Sequence, residues 1–403
     1  MPRFPMLASL ARHKLTVLLL ALQVALTCAI VCNVALMVAG RAAQMGWPSG
    51  VAEDELAMLD SASLDGGDPL ARHAADLAAL RSIPGVTAAA AVDALPFNGN
   101  NWGNGIATVP DGPARLVASA FNGTPGERQA LGLQLVAGRD FRPDEYVPVD
   151  SANGWDGINH VPATIVTRAL AARLFPGQDP LGRLVYPGDN SVRIVGVVDH
   201  LLRPTLESGD GNEYAMLFPM LPDDGSVTYV LRTAPSQRRR VLKQAAEVLD
   251  RLDDDRILRH ARTFERLRSD YFRHDRTMLG LLLAAAAGLL LVTAVGIAGL
   301  ASFWVQQRRR SIGIRRAIGA TRRDILRYFQ AENFLIVGGG IALGAVLACA
   351  LNLALMERYE LPRLPLSYLP LGAVALWLLG QLAVLGPALR AAAVPPVVAT
   401  RTE

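Results

Sequence analysis

Lysine is almost missing from this 403-residue chain: of 40 basic residues only Lys14 and Lys243 are lysine, and the rest are arginine. A phosphate-cradling loop, G-x-x-x-x-G-K-[ST], needs a lysine in its own context. Neither lysine has one, so these residues do not bind ATP by that route. Cysteine is as scarce. Cys28, Cys32 and Cys349 all lie in apolar runs, which excludes a disulfide framework in the polar middle of the chain. Cys28 and Cys32 are four apart, and they read as small packing residues of one helical face rather than as a redox or metal pair. The histidines His160, His200, His260 and His274 are scattered, and neither H-E-x-x-H nor G-x-S-x-G occurs. Asp199-His200 and His274-Asp275 are chain neighbours, which is not the geometry of a triad. No catalytic, cofactor-binding or metal-ligating residue is assigned, and the chain does not read as an enzyme. The net charge of +4 carries no signature of nucleic-acid binding, and no such partner is expected.

What the sequence has in excess is apolar length: 51% of the residues are hydrophobic, and they are clustered. A bilayer core of ~30 Å needs ~20 helical residues. Four runs meet that need, at 15–39, 278–305, 328–356 and 366–389. The first is too long for the apolar core of a typical signal peptide and reads as an uncleaved anchor. Backbone polar groups in lipid must bond internally, so each run is expected to be a helix. Gly340 and Gly344 in the third run form G-x-x-x-G, and Ala284 with Gly288 repeats the spacing; both suit close helix approach or dimerisation.

Arginine placement gives an orientation. Arg3, Arg12 and Lys14 precede the first run, and the loop 306–327 holds eight arginines against one acid, Asp324. The segment 41–276 is acidic on balance, with 25 basic and 31 acidic residues. The expected layout is a cytoplasmic N-terminus (1–14), a first span (15–39), an extracytoplasmic domain (40–277), a second span (278–305), a cytoplasmic coupling loop (306–327), a third span (328–356), a short external loop (357–365), a fourth span (366–389) and a cytoplasmic tail (390–403). The fold class is thus an α-helical membrane protein with four transmembrane helices in a 1+3 arrangement and a large α/β extracytoplasmic domain between helices 1 and 2. Glu332 and Asn333 fall near one end of the third span, where they are expected to be solvated or paired.

Within the large domain the patterns predict helices at 68–81, 168–174, 237–252 and 263–276, the last leading without a break into the second span. Strands are predicted at 86–92, 163–166 and 228–233, with a hairpin of 183–186 and 192–198. "NGNNWGNG" at 98–105 reads as a polar, turn-rich loop, and the residues from about 99 to 148 as a second, looser lobe.

The densest charge, "RRRSIGIRRAIGATRRDI" at 308–325, has local order of its own. Ile314, Ala317, Ile318 and Thr321 share one helical face. Gly319 stands where a helix stop puts glycine. Thr321-Arg322-Arg323-Asp324 fits a capping box that starts a new helix. Attraction of basic flanks to membrane lipids accounts for the charge but not for a break followed by an ordered restart, which suits a surface that docks a partner.

The stretch "QQRRRSIGIRRAIGATRRDILRYF" resembles the signature of the permeases grouped with the cell-division protein FtsX and the macrolide exporter MacB. Ile312, Gly313, Ile314, Ala317, Gly319, Ala320, Asp324 and Ile325 match its pattern, and Ser311 stands where the family usually has glutamate. "ALGLQLVAGRDF", "IVTRALAARLFPGQDPLGRLV" with "RIVGVVDH", and the tail "GPALRAAAVPPVVATR" extend the likeness over most of the chain. The resemblance implies the membrane subunit of a type VII ABC transporter in the bacterial inner membrane, multi-pass, with both termini cytoplasmic. It implies a second permease subunit, the same or similar, a cytoplasmic ATPase that holds ATP and magnesium, and in some systems a periplasmic adaptor. ATPase docking would then fall to Arg309, Ile312, Gly313, Ile314, Arg315, Arg316, Ile318, Gly319, Thr321, Arg322, Arg323 and Asp324, and helix packing to Gly340 and Gly344. A membrane-anchored binding or sensing protein without transport is the other reading of the same layout.

Overall fold

The computed structural model describes residues 14–393 except 64–66, 151–158, 189, 208, 224, 254, 360–364 and 366–367. The expected N-terminal flank with Arg3 and Arg12, most of the loop 357–365 and the tail beyond residue 393 lie outside the described residues. The chain divides into two compact units. One comprises Met1–Gly46 and His274–Glu403, the other Trp47–Arg273.

In the first unit, four helices are long and apolar enough to cross a membrane: α1 (Lys14–Met45), and, numbered in chain order, α7 (Arg273–Gln307), α9 (Arg322–Tyr359) and α10 (Tyr368–Ala392). The short α8 (Arg309–Ala317) lies between α7 and α9. Gly340 and Gly344 seat α9 directly on α1. A Cβ at Gly340 would stand 2.8 Å from Val24 Cβ, and one at Gly344 would stand 2.7 Å from the Ala25 carbonyl oxygen. The spacing thus serves contact inside the chain. Gly288 of the second candidate motif has nothing within 4 Å. Cys28 and Cys32 are buried packing residues of α1: Cys28 meets Gly344, and Cys32 Sγ lies where a Cβ on Gly372 of α10 would fall. Two polar pairings lie inside the bundle, where a low-dielectric interior favours bonded groups. Thr27 and Thr293 share a 2.8 Å hydrogen bond, and Asn33 Nδ2 donates to the carbonyls of Ala29 and Ala348.

The second unit contains two sheets. The first runs in the order β13 (Arg256–Thr263), β1 (Leu56–Ser63), β12 (Ser226–Thr233), β2 (Val86–Val92), with every pairing antiparallel. Alternation along β1 sends Ala57 and Leu59 to one face, where they meet Tyr229 and Leu231 of β12. Two helices cover that face, α2 (Pro69–Arg81) and α5 (Arg238–Leu252), through Leu77, Leu80, Val241, Ala245 and Leu249. Each fully buried aliphatic side chain contributes roughly 1.5–3 kcal/mol. Asp68 starts α2 by accepting from the Leu70 N–H at 3.0 Å, with Pro69 at the first helical position.

The residues between β2 and β12 build the second sheet, in the order β5 (Leu135–Gly138), β9 (Val192–Val198), β7 (Ala163–Thr167), β10 (Ala215–Phe218), β4 (Leu116–Asn122), β3 (Trp102–Ala107), β8 (Leu184–Pro187). A further β8–β9 pairing closes six of these strands into a ring. Its interior holds Ile106, Val166, Val185, Ile194, Met216 and Phe218, with Leu170 and Leu174 of α4 (Arg168–Leu174) packed on it. This corrects two expectations. "NGNNWGNG" is not simply a loop, because residues from Trp102 onward form β3. The glycines allow it: Gly103 and Gly105 lie against Val117 and Ala114, where larger side chains would crowd the pairing with β4. Of the residues from 99 to 148, β3 and β4 belong to the ring, β5 pairs with β9 at its open edge, and β6 (Val147–Pro148) pairs with β11 (Met220–Leu221), so the stretch is ordered sheet and not a looser lobe. A third difference concerns 263–276, which is two helices. The first, α6 (Phe264–Tyr271), ends at Phe272 (φ −84°, ψ 7°), and α7 begins at Arg273.

The two ends of this unit are tied together by one arginine. Arg268 of α6 donates to the Trp47 carbonyl at 2.6 Å and to Glu53 at 2.5 Å, and its guanidinium lies 5.2 Å over the Phe97 ring. Phe97 holds a left-handed backbone (φ 69°) and packs against Phe264, Tyr271 and Phe272. A non-glycine residue keeps such a conformation only where its surroundings over-determine it. Here four aromatic and cationic neighbours do so.

Candidate coupling site

The stretch 308–325 folds as an elbow. Helix α8 ends with the N–H of Gly319 on the Arg316 carbonyl (3.2 Å) and the N–H of Ala320 on the Arg315 carbonyl (3.0 Å). This pair of crossed bonds is the Schellman close, and it needs a left-handed residue at Gly319, whose φ is +104°. Two residues later the chain restarts. Asp324 N–H donates to Thr321 Oγ1 (3.3 Å), while Thr321 N–H and its hydroxyl donate to Asp324 Oδ2 at 3.0 and 2.6 Å. Both halves of a capping box are therefore made, and α9 begins at Arg322.

The side chains of the elbow sort into two sets. Ile312 and Gly313 are buried; Ile312 joins Trp304, Ile325 and Phe329 in the core of the helical unit. Arg316 Nη1 donates to the Ala392 carbonyl at the end of α10 (3.2 Å), and the Arg315 guanidinium lies 5.1 Å over the Tyr328 ring. These hold the elbow to its own bundle. Ile314 is 46% exposed and Ile318 81% exposed, and Arg309, Arg310, Arg322 and Arg323 are exposed around them. A groove of about 670 Å³ opens between α8 and the start of α9, lined by Ile312, Arg315, Ile318, Ile325, Tyr328 and Phe329. Ile318 is thus an exposed isoleucine rimmed by arginines.

Sequence reasoning left open what Glu332 does. It is 1% exposed on α9, and Arg308, just before α8, donates to both its oxygens at 3.2 and 2.9 Å. The pair braces the elbow against the third long helix. The lone acid in the start of a span was the available signal; its partner, 24 residues earlier, was hidden among eight arginines. Gly340 and Gly344 lie in the α1–α9 contact, away from the elbow.

The outer unit carries buried charge of two kinds. Asp76 of α2 accepts from Arg256 Nη1 and Nη2 at 2.7 and 2.8 Å and from the Tyr229 hydroxyl, to which His73 Nδ1 is joined at 2.9 Å. Burial, then the Asp76 charge, pushes the Tyr229 phenol well above its ordinary range. Glu127, at the start of α3 (Glu127–Leu131), has no such partner. Its Oε1 is buried without a hydrogen bond, and burial first, then Asp93 and Asp140, raises its carboxyl well above the usual carboxylate range. Among the described residues no group of three His, Cys, Asp or Glu side chains converges as metal ligands do.

The family model of the MacB-like periplasmic core domain matches residues 21–254, and that of the FtsX-like permease C-terminal region matches residues 283–396. The macrolide export ATP-binding/permease protein MacB of Bartonella henselae is 31% identical over 231 residues, which are 53% of this chain and 32% of that protein. The pyoverdine export ATP-binding/permease protein PvdT of Pseudomonas putida is 30% identical over 259 residues, 60% of this chain and 38% of that protein. The chain thus spans about a third of the length of the curated relatives it matches. The crystal structure of the periplasmic region of MacB from Actinobacillus actinomycetemcomitans overlaps 55% of this chain and 94% of its own, at 13% identity and a TM-score of 0.35. With one family model over more than half its length and the other over its last three apolar helices, the chain belongs to the MacB-like, FtsX-like permeases of ABC transporters, multi-pass proteins of the inner membrane.

Proposed function

We propose that this chain is a permease subunit that couples ATP hydrolysis on a separate cytoplasmic ATPase chain to movement of its outer unit, for export or for mechanical work on a partner. The elbow is the observation that carries this reading. A helix stopped at Gly319 and restarted at Thr321–Asp324 presents Ile318 and Ile314 at a fixed place. A basic flank serving only as an anchor needs no such geometry. Arg309, Arg310, Arg322 and Arg323 would pair with acidic residues of the ATPase, which holds ATP and magnesium. Ile314 and Ile318 would fill its apolar recess, each burial worth roughly 1.5–3 kcal/mol.

The arginine balance supports a reading with the elbow and both termini in the cytoplasm and the unit Trp47–Arg273 outside, with four spans in a 1+3 order. Two permease subunits, identical or similar, would pair in the membrane, and the names of the relatives make small-molecule export the leading task. The test is co-purification of the ATPase with the tagged chain from cells that express both. The triple variant I318E/R322E/R323E is expected to lose the ATPase while still inserting in the membrane. Equal recovery with the variant would refute docking at the elbow. Failure of the unaltered chain to bring down any ATPase would favour a binding or sensing protein without transport.

A further inference from the structure

Away from the elbow, the outer unit has a cleft of about 370 Å³ beside the first sheet. One wall is a cross-strand row. Thr228 of β12, Asp60 of β1 and His260 of β13 are register partners, with Arg262 beside them. The opposite wall is made by Asn98, Asn100 and Trp102, where the chain passes from β2 into β3. At about 30 Å³ for each non-hydrogen atom, the volume suits a molecule of roughly a dozen such atoms.

Three acids, Asp60, Asp93 and Asp223, and two arginines, Arg259 and Arg262, line this cleft, and they are not equally committed. Asp60 is fully engaged: Oδ1 accepts from the Thr228 hydroxyl at 2.9 Å, and Oδ2 accepts from Arg262 Nη2 at 2.8 Å and faces His260 Nδ1 at 3.4 Å. Asp93 is engaged as well, with the Asn122 N–H on Oδ1 at 3.0 Å and Asn122 Nδ2 on Oδ2 at 2.7 Å. Asn100 Nδ2 donates to the Asp93 carbonyl at 2.8 Å, which fixes that wall. Asp223 on the rim has a contact of its own. Arg259 differs. It lies on β13, the edge strand, lines the cleft, and makes no hydrogen bond or ion pair among the described residues. Asp60 and Asp93 are occupied by neutral and cationic donors, and the side chain left uncommitted among the described residues is the Arg259 guanidinium with its fork of N–H donors.

Beside this charge stands an aromatic plate. Trp102 is partly buried against the core of the ring of strands and also lines the cleft, so its indole is braced from behind. Val149 and Val227 extend the apolar surface. A few placed polar groups on an apolar wall is the pattern of a small-molecule site. A guanidinium selects carboxylate through paired N–H donors, and an indole face selects a flat or apolar group.

The geometry points to a binding site in this cleft for a small amphiphilic carboxylate, with its carboxylate on Arg259 and its aromatic or apolar group on Trp102. The site does not depend on the coupling role of the elbow, and its test involves no ATPase.

The experiment is isothermal titration of the full chain in detergent with N-acetyl-L-phenylalanine and, separately, with its neutral amide. The expected result is saturable binding at one site per chain, with the acid at least tenfold tighter than the amide. R259Q is expected to bring the acid down to the level of the amide, while R259K keeps a preference for the acid. W102F is expected to weaken both ligands and to abolish the part of the tryptophan fluorescence change that binding causes. Arg259 is exposed, so its variants are expected to melt with the unaltered chain; if R259Q does not, R259K and W102F carry the test. Equal affinity for acid and amide, absence of saturable binding, or a preference that survives R259Q with an unchanged melt would each overturn the assignment.

Discussion

Helices α7 and α9 are nearly equal in length and alike in composition, yet they live differently in the fold. In the most apolar window of α9, 28% of residues are buried inside the chain; in that of α7 the share is 11%. The glycines mark the reason. Gly340 and Gly344 of α9 touch the backbone and β-carbons of α1, whereas Gly280, Gly288 and Gly299 of α7 have nothing within 4 Å and Gly296 meets only the flexible Gln23 side chain. Helix α7 is joined to α1 by a few polar contacts instead, the Thr27–Thr293 bond and Gln23 Nε2 to the Val292 carbonyl at 3.4 Å. Apolar length says that a helix can cross a membrane; only close approach says which helix it is fixed to. The flank of α7 with Leu281, Leu291, Val292 and Val295 is exposed within the chain.

The strongest way to break this contrast is at the ion pair that ties the end of α7 to α9. R308M leaves Glu332, whose side chain is 2% exposed, buried without its arginine, and is expected to cost about 3–5 kcal/mol. E332Q is expected to cost less than half of that, because the Arg308 side chain is 21% exposed and can find water. Thermal unfolding in detergent of both variants checks the asymmetry; equal losses would mean that the pair is not buried on one side only.

Next in size are the glycines. G344L must push against the Ala25 carbonyl oxygen and Cys28 Cβ. Overpacking of this kind costs about 1–3 kcal/mol. G288L faces open space and is expected to change stability by no more than about 0.5 kcal/mol. If G288L proved as damaging as G344L, with monomer stability the measured quantity, the flank of α7 would not be free within the chain.

The smallest expected effect sharpens a related contrast, between Glu332 with its arginine and Glu127 without one. A carboxyl raised by burial is protonated in the fold and charged when unfolded, so the folded state binds more protons in that window. Stability from this group is present at low pH and declines as pH rises from the ordinary value near 4.5 toward the raised one. E127Q keeps a neutral group of the same shape. It is expected to flatten that decline and to melt above the unaltered chain at neutral pH. Denaturant titrations at a series of pH values would show it, and an unchanged pH profile would count against a neutral Glu127.

The elbow was legible in the sequence because its signals are local. Glycine at a left-handed stop and a Thr-x-x-Asp box each act within a few residues, and the hydrogen bonds follow them. The apolar helices were legible by length. The sheets were less so. "NGNNWGNG" has the composition of a turn and becomes a strand because β4 and β8 flank it, a tertiary cause that composition does not carry. Strands β1 and β13 escaped notice for the same reason. The acidic and basic residues of Glu53–Asp60 and Arg256–Arg262 hide alternation that becomes plain only when Asp60 meets Arg262 and Asp76 meets Arg256. The break at Phe272 had no sequence mark, since neither glycine nor proline is there. Arg315 and Arg316 looked as free as their neighbours, and only the positions of Tyr328 and Ala392 separate them from Arg322 and Arg323.

The central claim is that the elbow meets an ATP-hydrolysing chain in the cytoplasm. A photo-crosslinking amino acid at position 318, in cells that make the chain together with its ATPase, addresses this directly. The account predicts a covalent product with the ATPase, lost when R322E/R323E is combined with the probe, and no reaction of a cysteine at 318 with a membrane-impermeant reagent added outside intact cells. Labelling of that cysteine from outside, with no ATPase product, would contradict it.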